Sequence, residues 1–206
     1  MSQATISNSE FPAVPVHRFS VDEYERLAEV GILNAEDRVE LLEGLIVPKM
    51  VHNPLHARAL ELADQAIRPH LPHGWRLRIQ LPIRTDDSEP EPDLAIVRGT
   101  LREQPLRHPV ADEVGLIVEI ADSSLRPDRV MKRRLYARAG IAHYWIVNLV
   151  DRRLEVHANP SGRSRAPKYR DVRLLDAGER AALILDGREI ASIAVDDLLP
   201  DIAAEE

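Results

Sequence analysis

The stretch GLIVEIADSSLRPDRVMKRRLYARAGIAHYWIVN, Gly115–Asn148, decides the fold. It opens on an apolar run of strand type, Leu116-Ile117-Val118-Glu119-Ile120, and closes on another, Tyr144-Trp145-Ile146-Val147. Between them the spacing predicts a helix from about Asp128 to Gly140, with the glycine as its stop. Strand, helix, strand is a crossover, so the two strands are expected to lie in a partly parallel sheet with helices on its faces. One residue breaks the apolar pattern. Glu119 sits inside a run that otherwise reads as buried strand, where an unpaired charge is costly. It needs a metal, a cation or a network of donors.

Upstream, SEPEPDLAIV (Ser88–Val97) repeats the arrangement, with Asp93 at the mouth of Leu94-Ala95-Ile96-Val97. If these two strands are neighbours, Asp93 and Glu119 converge on one point. That geometry suits Mg²⁺, which is typically held by one or two carboxylates plus waters and substrate phosphate. Before them, Trp75–Leu81 alternates as a strand, and Pro54 starts a helix to about Leu71 with Leu55, Ala59, Leu62, Ala66 and Ile67 at helical spacing. Further out, Ser20-Val21-Asp22-Glu23 is a capping box opening a short helix that stops at Gly31. Arg38–Leu42, Glu43-Gly44 and Leu45–Val47 form a hairpin on a tight turn.

Downstream, Arg153–His157 returns as a hairpin from Asp151-Arg152, and residues 159–170 form a basic loop. Short strands are expected near 171–175, 181–185 and 188–192, then a helical turn at Val195–Leu199. The fold class is α/β: a mixed sheet flanked by helices, with an added N-terminal helix and hairpin. Residues 1–16 read as a flexible arm, 17–200 as one domain and 201–206 as an acidic tail.

With 206 residues, 44% of them hydrophobic and only 4% aromatic, the core must be mostly Leu, Val, Ile and Ala. A net charge of −7 argues against coating nucleic acid by bulk charge. A local basic face remains available where Lys132, Arg133, Arg134 and Arg138 fall on or beside one helix. There are no cysteines, which excludes disulfides, thiolate zinc sites and Cys nucleophiles. No apolar run is long enough to span a membrane, and the N-terminus lacks a basic-then-apolar signal pattern. A cytoplasmic location is therefore expected. No GxSxG, Walker, GxGxxG or HExxH pattern is present.

In RVELLEGLIV (Arg38–Val47), His56, EPDLAIV (Glu91–Val97), LIVEIADSS (Leu116–Ser124) and DRVMKRRLYARAGIAHYWIVN (Asp128–Asn148), the chain resembles the PD-(D/E)XK nuclease superfamily. More closely it resembles the Uma-type family of restriction endonucleases, over roughly residues 17–158. The resemblance implies a restriction-endonuclease-like fold and Mg²⁺-dependent phosphodiester hydrolysis, with Mn²⁺ as a substitute. It implies DNA as the substrate and a homodimer as the assembly. Pro92-Asp93 matches the superfamily's PD, and Glu119 its second acid. The superfamily's lysine normally lies two residues past that acid, where this chain has Ala121. The Uma-type pattern offers Lys132 on the next helix instead. The implied catalytic set is Asp93, Glu119, Lys132, Glu40 and His56, with Asp93, Glu119 and Glu40 as metal ligands.

Each residue also has a plainer reading. Asp93 could cap a turn after proline, and Glu119 could pair with an arginine. Lys132 could make an i, i+4 pair with Asp128 on a helix surface, while Asp128 itself reads as that helix's N-cap. Glu40 could face solvent, His56 could be a capping histidine, and Ser123 and Ser124 could be loop or cap residues. The chain as a whole could be a catalytically inactive nuclease-fold module that binds DNA or a protein partner, a reading that rests on Ala121.

Overall fold

The computed structural model describes residues 16–50, 53–102 and 104–201. The expected N-terminal arm lies outside them except for its last residue, and the acidic tail except for its first. Six strands form the central sheet in the order β3-β4-β5-β6-β7-β8. These are β3 (Trp75–Ile79), β4 (Leu94–Arg98), β5 (Val114–Ala121), β6 (His143–Asn148), β7 (Arg153–Pro160) and β8 (Tyr169–Asp176). β5 and β6 pair in parallel, as the crossover requires, and the other neighbours are antiparallel. The mixed sheet expected from the sequence is the one observed.

Two layers cover it. On one face, Ala59, Ala63 and Ile67 of α2 (Pro54–Ile67) pack on Leu94, Ile96, Leu116, Val118 and Ile120. The two-stranded ribbon β9 (Arg180–Leu185) and β10 (Arg188–Ala194) adds Ala181, Leu183, Leu185 and Ile193 to that layer. On the other face, Leu135, Tyr136 and Ala137 of α4 (Arg133–Ala139) pack on Ala95, Val97, Ile117, Tyr144 and Ile146. β5 is thus buried along all eight residues and apolar on both faces except at Glu119, which is why its sequence reads as a nearly continuous run.

The N-terminal additions form as expected. Ser20 and Glu23 close the capping box of α1 (Val21–Glu29). The hairpin of β1 (Val39–Leu42) and β2 (Leu45–Pro48) turns at Glu43-Gly44, both with positive φ. A side chain at Gly44 would also strike Arg18 Cβ at 2.7 Å, so glycine is required there on two grounds.

The connection from β5 to β6 departs from the expectation. It is already helical at α3 (Leu125–Pro127), passes through a π-helical turn at Asp128–Lys132 and continues into α4, ending at Gly140 with φ 80°. Asp128 is therefore not a helix N-cap: it lies inside the helical run, buried. Pro127 before it is tolerated because it stands in the first turn of that run.

Candidate active site

Asp93 and Glu119 meet where β4 and β5 run side by side. Leu94 pairs with Val118, and continuing that antiparallel register by one residue sets Asp93 opposite Glu119. Both side chains point to the face that carries α4. They line a cleft of about 270 Å³ together with Glu40, His56, Gln80 and Lys132. All five residues expected from the sequence, Asp93, Glu119, Lys132, Glu40 and His56, are brought to this one cleft.

Asp93 is buried among donors. Its Oδ2 accepts the backbone N–H of Ile120 at 2.8 Å and lies 3.1 Å from His56 Nε2. Its Oδ1 accepts from Gln80 Nε2 at 3.2 Å. Burial pushes its pKa up, but the His56 bond and charge, the Ile120 N–H and Lys132 outweigh burial and hold it below the ordinary Asp value. His56 reaches Asp93 because α2 begins at this end of the sheet: Asn53 caps the helix by accepting from His56 N at 2.9 Å. Gln80 adopts a left-handed backbone (φ 47°) just past β3, and its N–H also bonds the Asp93 carbonyl at 3.0 Å. A non-glycine residue in that region costs about 1 kcal/mol, a strain that recurs at functional sites.

Glu119 is held from the helix. Its Oε1 accepts from Tyr136 Oη at 2.8 Å and lies 3.0 Å from Lys132 Nζ. Lys132 and Tyr136 are four residues apart, one turn along the same inward face. Lys132 is also 3.8 Å from Asp128 Oδ1. The i, i+4 pair read as a surface feature thus exists, but indoors. Burial opposes the ammonium, yet Glu119, Glu40, Asp128 and Asp93 around it raise its pKa well above that of free lysine. Burial raises Glu119 well above an ordinary Glu, with Lys132 opposing. Asp128 is raised the same way.

Glu40 is buried rather than solvent-facing, and its Oε2 accepts from Glu91 N at 3.0 Å. Three contributors were missed from sequence: Tyr136, Gln80 and Asp128. For Tyr136 a signal existed, since it stands four residues past Lys132. Of the expected basic face, only Arg133 enters no ion pair among the described residues. Lys132 turns into the cleft, Arg134 is paired with Glu43, and Arg138 with Glu43 and Asp87.

The donor set suits a hard divalent cation in one respect and is incomplete in another. Four carboxylates, Glu40, Asp93, Glu119 and Asp128, surround a single ammonium, and the buried Asp128 carboxylate is met only weakly, by Ser124 and by Lys132 at 3.8 Å. Such an excess of buried negative charge favours a second cation. Among the described residues, however, no three His, Asp or Glu side chains are arranged to hold a metal ion. What converges is the pair Asp93 and Glu119, the minimum Mg²⁺ uses when waters and substrate phosphate complete its shell. Residues present and ion are compatible on that footing.

A family model described as "Uma2: Putative restriction endonuclease" matches residues 21–194. Among solved structures, one titled as a putative nuclease belonging to DUF820, from Anabaena variabilis ATCC 29413, has a TM-score of 0.63 at 16% identity. The match covers 87% of this chain and 97% of that one, and it shows the shared fold. No curated protein matches.

Proposed function

The chain belongs to the Uma2 family of putative restriction endonucleases, and on that premise we propose that it is a divalent-metal-dependent nuclease acting on DNA. The observation that carries the reading is the facing pair Asp93 and Glu119, buried at the ends of β4 and β5 with Lys132 Nζ 3.0 Å from Glu119. Asp93 and Glu119 are the residues that would hold Mg²⁺ or Mn²⁺, with Glu40 adding charge from the hairpin. Bound there, the ion would lower the pKa of a water and steady charge on the phosphoryl oxygens.

The chain's own groups divide the remaining work. His56, Gln80 and the Ile120 N–H keep Asp93 ionised and fixed in orientation. Tyr136 and Lys132 occupy one oxygen of Glu119, which leaves the other to serve as ligand. Lys132, held protonated by the carboxylates around it, can stabilise the negative charge that builds in the transition state. An inactive binding module is the alternative that Ala121 suggests. The position of Lys132 weakens it, because the helix supplies the ammonium that the strand lacks.

The test is cleavage of plasmid and branched DNA by wild type and Asp93→Ala in Mn²⁺, Mg²⁺ or EDTA. Metal-dependent nicking that falls at least about 100-fold in the variant is expected. Equal activity in the two proteins would remove Asp93 from the site.

A further inference from the structure

Many of the partly buried arginines are neutralised by carboxylates of the same chain. Arg84 meets Asp22 and Glu25, Arg107 meets Glu113, Arg129 meets Glu155 and Arg138 meets Asp87. Arg76 and Arg78 enter no ion pair among the described residues, and unlike the exposed arginines that also lack one they carry buried donor atoms with no partner. Arg78 is only 9% exposed. Its Nη2 donates to the Pro82 carbonyl at 3.1 Å, but its Nε is buried without a partner, as are Nε and Nη2 of Arg76. The carboxylate that acts on Arg76 from further off, Glu113, already gives both oxygens to Arg107 at 2.8 and 2.9 Å. The two guanidiniums also oppose each other, and burial followed by the charge of Arg76 lowers the pKa of Arg78. Half-buried cations with unmet donors and no counter-charge call for an anion.

Their placement says which kind. β3 is the outermost strand of the sheet, and a groove of about 660 Å³ runs along it, lined by Arg68, Gly74, Arg76, Arg78, Leu81 and Leu101. Arg76 lies opposite Val97 and Arg78 opposite Ala95, so both project on the face that carries Asp93. Two residues along a strand separate them by about 7 Å. Next in the row comes Gln80, whose amide touches Asp93. A lone phosphate would engage one guanidinium; a chain of phosphates would engage both and be led to the carboxylates. Guanidinium forks match phosphate oxygens in pairs.

We propose that the outer edge of β3 is a track for the phosphodiester backbone of a nucleic-acid strand, with Arg76 and Arg78 each taking a phosphate and Gln80 marking the entry to the Asp93–Glu119 cleft. The inference rests on the nuclease reading of that cleft and adds to it the path of the substrate.

Fluorescence anisotropy of labelled oligonucleotides in EDTA measures binding without cleavage. Arg76→Gln and Arg78→Gln are each expected to weaken binding by about 5- to 10-fold and to reduce the slope of log affinity against log salt by about 1. Asp93→Asn, which lies in the cleft and not on the track, should keep the salt slope while losing metal-dependent cleavage. Thermal melts accompany each variant. Should Arg78→Gln fail to fold, Arg76→Gln, the less buried site, carries the test. Wild-type affinity and slope in a folded Arg76→Gln would overturn the track and leave the nuclease reading standing. Competition by inorganic phosphate that depends on Arg76, without Arg76-dependent oligonucleotide binding, would assign the site to a free anion and also overturn it. A wild type that cuts no DNA would instead strike the nuclease reading.

Discussion

A carboxylate on a buried strand keeps its charge only if donors meet it, and Asp93 and Glu89 show the two outcomes. Asp93 meets His56, Gln80 and a backbone N–H, and its pKa falls. Glu89, buried on the segment that leads to β4, leaves Oε2 without a hydrogen bond, with His108 at 3.9 Å and Arg84 and Lys49 acting only from further off. Burial, then the nearby Glu25, push its pKa to about 7. A carboxyl raised in the folded state stabilises fully below its unfolded pKa of about 4.5, and that contribution is lost as pH rises through about 7. Glu89→Gln should therefore melt like wild type at pH 4 and higher than wild type at pH 8, by on the order of 2–3 kcal/mol. Thermal unfolding at the two pH values checks it; equal melting at pH 8 would refute it. Glu119 was legible in the sequence for the same physical reason, since a charge in an apolar run must be met by something. Asp128 was not, because an Asp just after proline and before a helix has a cheaper local use as a cap.

Elements position these residues, and one junction is tight enough to test. Gly115 is the second residue of β5, and a Cβ there would lie 2.6 Å from Leu185 Cδ2 and 2.8 Å from the Trp75 ring. Glycine thus lets the β9–β10 ribbon sit close on the sheet. Gly115→Val should cost about 2 kcal/mol, lowering the melting temperature by roughly 5 °C. Glu119 lies at the far end of the same strand, so activity per folded molecule should be unchanged; an unaltered melt would contradict the packing account. The central strands and the β5–β6 crossover were readable from apolar runs and the Gly140 stop, whereas the order of the strands across the sheet was not. The π turn was not. It arises where Arg129, paired with Glu155 and Asp151, and the inward Asp128 and Lys132 all need their directions at once, which spacing alone does not encode. Nor was the paired state of Arg134 and Arg138, because their partners Glu43 and Asp87 come from distant parts of the chain.

At the scale of the whole molecule, an acidic chain with net charge −7 has to meet a polyanion through local features rather than its total. On the helix face that looked available for this, Lys132, Arg134 and Arg138 are taken up by carboxylates, and β3 carries two half-buried arginines with unmet donors. The same acidity concentrates in the cleft, where four buried carboxylates share one lysine. No helix of the described residues is long and apolar enough to cross a membrane. The central claim is that this cleft is built for a divalent cation held by Asp93 and Glu119. Calorimetric titration of Mn²⁺ into the metal-free wild type and Asp93→Asn tests it directly, before any substrate is known. The account predicts one saturable Mn²⁺ site in the wild type and an affinity at least about 10-fold weaker in the variant. Mn²⁺ binding of equal strength in both proteins, or in neither, would contradict it.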